Sequence, residues 1–331
     1  MYDLRYVSQL DCNITDLCDK TCSFCPRHDP DIYPNNNKHM SVDLFKKIID
    51  ECLEVGYSKD ILLCGRGEPS LNKYYEDILE LLHHPKRTWR TALTTNGRKI
   101  EKYWDFYTNN FDFITLNTYT NQKEYDERVK KYGWKLNTTG KHGNTPRTVY
   151  NLDHYFKPDG ATVEEANEGK KGFQKGFKIK SSPGVTWRHN FNKRCGLQGD
   201  IKQNPAIKKS CAHAMEFIFL NFDGKIHMCC NDWGSGNGKG QTIVGDFSKN
   251  NLFDEYRRNK KRAMINHNLI NGRRYMIDAC SKCEIIQKGD IRRMEKAKKD
   301  AHLMNYLGKI LMTKDNEMYV NDKNLQRIER E

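Results

Sequence analysis

The stretch Asp60-Ile-Leu-Leu-Cys-Gly-Arg-Gly-Glu-Pro69 sets a short apolar run directly before a glycine-rich turn. Apolar runs of this length without alternating polar residues are typical of a strand that is buried on both faces of a sheet. A stretch rich in Tyr and Leu, with helical spacing, follows to about residue 82. Because parallel strands are joined through helical crossovers, this order predicts one strand-helix unit of a parallel α/β sheet.

Similar units lie on both sides of this stretch. Strand patterns occupy residues 6–13, 91–95, 112–117, 148–152 and 185–191. Helical patterns run from the N-cap residue Ser41 to Gly56, over 101–107 and over 122–131. Repeated alternation of this kind is typical of α/β proteins. Residues 216–230 differ, because two apolar runs joined by Asp223-Gly224 predict a β-hairpin.

Composition limits the class of protein. The chain has 331 residues, of which 37% are hydrophobic and 30% charged, and this predicts one large globular domain with a smaller appendix. Neither a signal peptide nor a run of about 18 apolar residues is visible, so we expect a cytoplasmic protein without a membrane partner. The formal charge of +13 could attract a nucleic acid or another anion, but the basic residues are dispersed, and solubility explains the charge equally well.

Twelve cysteines in a long chain without secretory features indicate metal ligation or redox chemistry rather than a disulfide framework. Three of them, Cys18, Cys22 and Cys25, form a CxxxCxxC pattern in the loop after the first predicted strand. Three thiolates on one short loop can bind three irons of a cubane cluster and leave the fourth iron open. A zinc site completed by His28 and a set of unrelated buried thiols are the alternatives.

The CxxxCxxC spacing resembles the signature of the radical S-adenosylmethionine (SAM) superfamily. Further matches follow in the family's order: an aromatic residue before the third cysteine, a GGEP-like turn, a TNG-like segment and a polar residue after the fourth strand. The matching positions are Phe24, Gly65, Gly67, Glu68, Pro69, Thr95, Asn96 and Asn117. Arg66 interrupts the GGEP pattern but leaves Glu68 and Pro69 unchanged. The resemblance implies that these residues contact SAM, and that the GGEP-like turn holds its ammonium group.

The resemblance also implies a fold and a reaction. The fold is a partial (β/α)6 TIM-like barrel, expected over residues 1–192, with the motifs at the carboxyl ends of its strands. The open iron chelates the amino and carboxylate groups of SAM, and one electron cleaves a carbon-sulfur bond. The resulting 5'-deoxyadenosyl radical removes a hydrogen atom from the substrate, while the protein supplies position and shielding.

A second set of cysteines offers four thiolates around the predicted hairpin. Its members are Cys211, Cys229, Cys280 and Cys283. Four sulfurs can complete a cubane cluster or a structural zinc site, and these residues alone favour neither. Cys195 and Cys230 are spare thiols, which could replace an assigned ligand but are more often small buried residues.

This second set resembles the Twitch half of a SPASM domain, and the resemblance implies one auxiliary 4Fe-4S cluster. The segment Asn192-Lys-Arg194-Cys-Gly196 is similar to the one that precedes such domains, which makes Arg194 a candidate cofactor-binding residue. Val244-Gly-Asp246 matches a further landmark of these domains. We therefore expect an auxiliary domain over residues 193–290, built from the hairpin and a helix at about 252–264. A basic helical tail is expected at 291–331.

A fully ligated second cluster suits electron transfer, so we predict an oxidative radical SAM enzyme that dehydrogenates or crosslinks its substrate. The expected substrate is a small molecule, a nucleotide-like compound or a peptide, and the expected electron donor is of the flavodoxin or ferredoxin type. Candidates for a catalytic base at predicted strand ends are Asp153, His154, Arg188 and His189, although a histidine at such a position is more often structural. The alternative hypothesis is a cysteine-ligated zinc protein that binds nucleic acid.

Overall fold

The computed structural model describes residues 7–21, 25–116, 148–151, 211, 216–233, 242–281 and 283. The expected helix at 122–131, the expected strand at 185–191 and the expected tail at 291–331 lie outside the described residues. Within the described ranges, no helix combines the length and the apolar character that a membrane crossing requires.

One sheet of eight strands organises the described part of the chain. The strands are β1 (Gln9–Asn13), β2 (Asp60–Leu63), β3 (Arg90–Thr95), β4 (Phe113–Leu116), β5 (Thr148–Asn151), β6 (Phe217–Asn221), β7 (Lys225–His227) and β8 (Ile243–Asp246). Their spatial order is β5-β4-β3-β2-β1-β6-β7-β8. Neighbours from β5 to β6 in this order are parallel, whereas β7 is antiparallel to both β6 and β8. The predicted α/β class is confirmed, and the parallel part with its helices is a partial TIM-like barrel.

Helices connect the strands and cover the sheet. They are α1 (Val42–Glu54), α2 (Tyr75–Leu82), α3 (Ile100–Asn110), α4 (Leu252–Arg258), α5 (Lys260–Ile270) and α6 (Asp278–Ser281). Helix α1 begins at the predicted cap, because the Ser41 hydroxyl accepts a hydrogen bond from the Leu44 N–H at 3.2 Å. Its inner face buries Phe45, Ile48 and Cys52 in the hydrophobic core that the sheet shares.

The hairpin β6–β7 extends the parallel part of the sheet. It turns at Asp223-Gly224 as predicted, and Gly224 has a φ of +84°, which favours glycine. Strand β6 lies parallel to β1, with Asn221 opposite Asn13. These two amides are hydrogen-bonded at 2.7 Å in a buried contact. The hairpin is therefore joined to the central strand rather than separated from it.

The prediction of one helix at about 252–264 is wrong. The chain leaves helical geometry at Asn259, which has a ψ of 114°, and two helices result. The Asn259 side chain accepts a hydrogen bond from the Arg262 N–H at 2.9 Å, so this residue starts α5 as an N-cap. Val244-Gly-Asp246, which the sequence marked only as a landmark, belongs to a strand that pairs with β7.

Candidate active site

The carboxyl ends of β1, β2 and β3 bring three predicted motifs side by side. Strand β1 leads into the loop of Cys18 and Cys25, β2 leads into the Gly65–Pro69 turn, and β3 ends at Thr95. Because the three strands are parallel neighbours, the segments that follow them start at the same edge of the sheet. The structure thus gathers residues that are up to 78 positions apart in the chain.

Glu68 is the centre of this arrangement. Its side chain is 2% exposed. Oε1 accepts hydrogen bonds from the hydroxyls of Ser70 at 2.8 Å and Thr95 at 2.6 Å, and Oε2 accepts one from the Asn96 N–H at 2.7 Å. Burial raises the pKa of Glu68, and these hydrogen bonds oppose the rise because they favour the carboxylate. The carboxylate is therefore held in one orientation.

Asn96 connects Glu68 to the cysteine loop. Its Nδ2 donates a hydrogen bond to the Asp19 carboxylate at 2.8 Å and lies 3.9 Å from the Cys18 sulfur. Arg98 reaches the other oxygen of Asp19 at 3.5 Å. The TNG-like segment thus contacts both the GGEP-like turn and the first cysteine.

Cys18 is a half-buried free thiol whose backbone is fixed. The Asn35 side chain accepts from the Cys18 N–H and donates to the Cys18 carbonyl, both at 3.2 Å. Burial raises the pKa of Cys18, while the Lys20 N–H and the Arg27 guanidinium oppose the rise. Since only the thiolate ligates metal, iron would have to displace the Cys18 proton on binding. Asn35 was missed from the sequence; its only signal was a side-chain amide in a polar loop.

Two glycines let the turn after β2 approach β1 closely. Gly65 has a φ of +133°, and a Cβ atom there would lie 2.4 Å from Asn13 Oδ1. A Cβ atom on Gly67 would lie 2.2 Å from the Thr15 carbonyl oxygen. Asn13 Oδ1 also accepts hydrogen bonds from the N–H groups of Arg66 at 3.0 Å and Gly67 at 3.3 Å. A side chain at either glycine would therefore displace the turn.

Arg66, the departure from the family pattern, is buried and points toward the hairpin. Its Nη2 donates a hydrogen bond to the Asp232 carbonyl at 2.7 Å. The guanidinium also lies over Phe219, 4.8 Å from the ring centroid, and 5.9 Å from that of Trp233. This contact could not be predicted from the sequence, because it joins positions that are 166 residues apart in the chain.

The second set of cysteines lines one cavity. Cys211, Cys229, Cys280 and Cys283 surround an empty space of about 430 Å³, part of which is open to solvent. Apolar side chains, among them Met228, Ile265 and Leu269, complete much of the wall. Burial raises the pKa of Cys280 well above its usual value, and the other three cysteines raise it further. The donor set suits an iron-sulfur cluster, because four cysteines line one partly open cavity.

Cys229 and Cys230 have different surroundings although they are adjacent in the chain. Cys229 lines the cavity, and its sulfur lies 3.4 Å from the Asn231 N–H. Burial is the main reason that the pKa of Cys64 is raised, and Cys230 lies close enough to Cys64 to raise it further.

Across the described residues, no three His, Cys, Asp or Glu side chains are grouped as a site for a single metal ion.

Several predicted site residues lie outside the described part of the chain. They are Cys22, Phe24, Asn117, Asp153, His154, Arg188, His189, Arg194 and Cys195. Cys25, by contrast, is half-buried and lies just before a 3-10 turn at Pro26–His28. The ligand and base roles assigned to all of these residues stay predictions.

Comparison with known proteins identifies similar chains. A family model described as the Radical SAM superfamily matches residues 12–137, which include the cysteine loop, the GGEP-like turn and the TNG-like segment. GTP 3',8-cyclase of Clostridium perfringens (strain SM101) is 29% identical over 93 residues, or 28% of this chain and 28% of that protein. The same enzyme of Actinobacillus pleuropneumoniae serotype 3 is 33% identical over 112 residues, 32% of this chain and 30% of that protein. The matches thus span less than a third of these curated relatives.

A solved structure is similar over most of the chain. The crystal structure of BtrN in complex with AdoMet and 2-DOIA superposes with a TM-score of 0.61, covering 85% of this chain and 94% of that one. Sequence identity over the superposed part is 18%. This likeness shows that the two chains share a fold.

Proposed function

We propose that this chain is a radical SAM enzyme, since the model of that superfamily matches residues 12–137, and that it cleaves SAM reductively and removes a hydrogen atom from its substrate. Membership in the superfamily implies a 4Fe-4S cluster and SAM as cofactors. Cys18, Cys22 and Cys25 are the residues proposed to hold the cluster, which when bound supplies the electron that breaks the carbon-sulfur bond.

The placement of Glu68 is the observation that carries this proposal. Its carboxylate is buried, and its hydrogen-bond partners among the described residues are neutral groups of Ser70, Thr95 and Asn96. A buried carboxylate needs a compensating positive charge to stay ionised at low cost. The ammonium group of SAM is such a charge, and Asn96 connects the carboxylate to the loop of Cys18. Glu68 therefore orients SAM beside the cysteine loop.

The other proposed SAM contacts follow from the same turn. Gly65 and Gly67 keep the backbone near the end of β1, and Pro69 starts the 3-10 turn that fixes Glu68. For Phe24, Asn117 and Arg194, a contact with SAM is proposed from the family resemblance alone. Asp153, His154, Arg188 and His189 are proposed as base candidates from their predicted places at strand ends alone.

We further propose that Cys211, Cys229, Cys280 and Cys283 hold an auxiliary 4Fe-4S cluster within an auxiliary domain at 193–290. The shared cavity of these four thiols supports this assignment. When bound, a fully ligated cluster supplies a one-electron acceptor. An acceptor favours an oxidative outcome, namely dehydrogenation or crosslinking. The substrate is a small molecule, a nucleotide-like compound or a peptide, and the name of the curated relatives, which act on GTP, supports the nucleotide-like class.

Anaerobic reconstitution with iron and sulfide tests both proposals. We expect about eight irons per chain, four for each cluster, and formation of 5'-deoxyadenosine from SAM after reduction by dithionite or by a flavodoxin- or ferredoxin-type protein. Zinc in place of iron, without 5'-deoxyadenosine, would contradict the enzyme assignment. Combined with salt-sensitive nucleic-acid binding, that result would establish the zinc alternative instead.

Glu68→Gln tests the SAM site directly. The variant should keep its iron but bind SAM at least tenfold more weakly, because a hydrogen bond to a charged group contributes about 1.5–3 kcal/mol. Equilibrium dialysis of SAM with the reconstituted protein measures this change. Glu76→Gln is the matched control, since Glu76 is an exposed carboxylate paired with Lys102 at 2.6 Å on the surface. Equal SAM affinity in both variants would refute the role of Glu68.

A further inference from the structure

A charged side chain of each sign lines the cavity of the four auxiliary cysteines. They are Arg274 and Asp232, which are 1% and 4% exposed. Arg274 begins the 3-10 turn Arg274–Met276, just before the helix α6 that carries Cys280. Its guanidinium is close enough to the Cys280 thiol to oppose the rise of that pKa. Both charges thus act on whatever occupies the cavity.

Asp232 is held in place from two sides. Its Oδ2 accepts hydrogen bonds from the Thr242 N–H at 3.0 Å and the Thr242 hydroxyl at 2.6 Å. Its backbone carbonyl accepts the hydrogen bond from Arg66. The two bonds from Thr242 therefore fix the carboxylate beside the cavity wall. A fixed charge of this kind interacts with its surroundings at nearly constant distance.

Fixed buried charges act strongly on a redox group because little water screens them. One-electron reduction adds one negative charge to a 4Fe-4S cluster, and in the proposed reaction that electron comes from the substrate radical left by hydrogen abstraction. A neighbouring positive charge stabilises the reduced cluster, whereas a neighbouring negative charge destabilises it.

We propose that Arg274 and Asp232 set the reduction potential of the auxiliary cluster with opposite signs, Arg274 raising it and Asp232 lowering it. This inference rests on the proposed function, since it requires the second cluster. Arg274 makes the cluster a better acceptor for the substrate electron. Asp232 limits that gain, so that the reduced cluster can still pass its electron to a one-electron carrier of the flavodoxin or ferredoxin type.

A redox titration followed by electron paramagnetic resonance tests the proposal. The parent protein is the full chain with Cys18, Cys22 and Cys25 replaced by alanine, so that the signal reports the auxiliary cluster alone. Arg274→Met should lower the midpoint potential, and Arg274→Lys should leave it near the parent value because the charge is kept. Asp232→Asn should raise the potential while its remaining side-chain oxygen still accepts from Thr242.

The outcomes separate this inference from the function on which it depends. Opposite shifts in Arg274→Met and Asp232→Asn support it, whereas unchanged potentials or shifts of the same sign overturn it. A parent protein that binds no iron would refute the auxiliary cluster itself. Should Arg274→Met fail to retain iron, the Asp232→Asn variant decides alone, and an unchanged or lowered potential there overturns the inference.

Discussion

The substitution Gly67→Ala tests whether the close approach of the turn after β2 to the end of β1 positions Glu68. The new Cβ atom would lie 2.2 Å from the Thr15 carbonyl oxygen and 2.8 Å from that of Leu17. Both are backbone atoms, which cannot rotate away as a side chain could. The turn must therefore move outward, and it carries Glu68, whose N–H donates to the Leu17 carbonyl at 2.7 Å.

The expected loss in the free energy of unfolding follows from the contacts around position 67. Forcing an extra carbon into a filled site costs about 1–3 kcal/mol. Two hydrogen bonds are lost with the outward movement, from Glu68 N–H to Leu17 and from Gly67 N–H to Asn13, and each contributes about 1 kcal/mol. The free energy of unfolding should fall by about 3–5 kcal/mol. Displacement of the Glu68 carboxylate should weaken SAM binding by about 2 kcal/mol, or roughly 30-fold.

Urea unfolding followed by circular dichroism measures the first effect, and equilibrium dialysis of SAM with the reconstituted protein measures the second. Gly56→Ala is the matched control, because Gly56 has a φ of +63° but nothing within 4 Å of its added Cβ. It should cost only about 1–2 kcal/mol for the left-handed backbone and leave SAM affinity unchanged. If Gly67→Ala proves no more harmful than Gly56→Ala in either assay, the close approach of the turn to β1 is not what positions Glu68.

Two further predictions concern the second half of the described chain. Cys280→Ala combined with Cys283→Ala should lower the iron content by about half and leave SAM cleavage intact, because the first cluster keeps its ligands. Cys52→Ala, which removes a buried thiol of α1, is its control and should keep all the iron, and full iron in the double variant would contradict the ligand assignment. Asn259→Ala should reduce the free energy of unfolding by about 1–2 kcal/mol in urea through loss of the cap of α5. The exposed Asn250→Ala should cost less than about 0.5 kcal/mol, and equal costs would argue against the cap.

Local patterns in the sequence were sufficient for most strands and for the start of α1. Ser41 could be recognised as a cap because it directly precedes the stretch with helical apolar spacing, and its hydroxyl accepts from the Leu44 N–H, which has no partner within the helix. The turn at Gly224 could be recognised because Asp-Gly between two apolar runs is typical of a β-hairpin turn. Such features depend on residues close together in the chain, and local chemistry therefore determines them.

Features that depend on distant residues could not be predicted in the same way. The pairing of β6 with β1 is not encoded in either strand, since any apolar strand of suitable length could occupy that edge. The contact between Arg66 and Asp232 requires that pairing first. The break at Asn259 was missed because apolar positions with helical spacing lie on both sides of it, although Asn itself favours caps over helix interiors.

The parallel pairing of β1 with β6 also affects how the protein is made. Paired residues such as Asn13 and Asn221 are 208 positions apart. At a synthesis rate of about 5–20 residues per second, β1 leaves the ribosome about 10–40 s before its second neighbour exists. During this interval, one edge of the central strand presents unpaired N–H and C=O groups, to which other strands can bind. During synthesis, the unpaired edge of β1 is therefore accessible to chaperones and to strands of other copies of the chain. This exposure lasts longer than in a protein whose strands pair in the order in which they are translated.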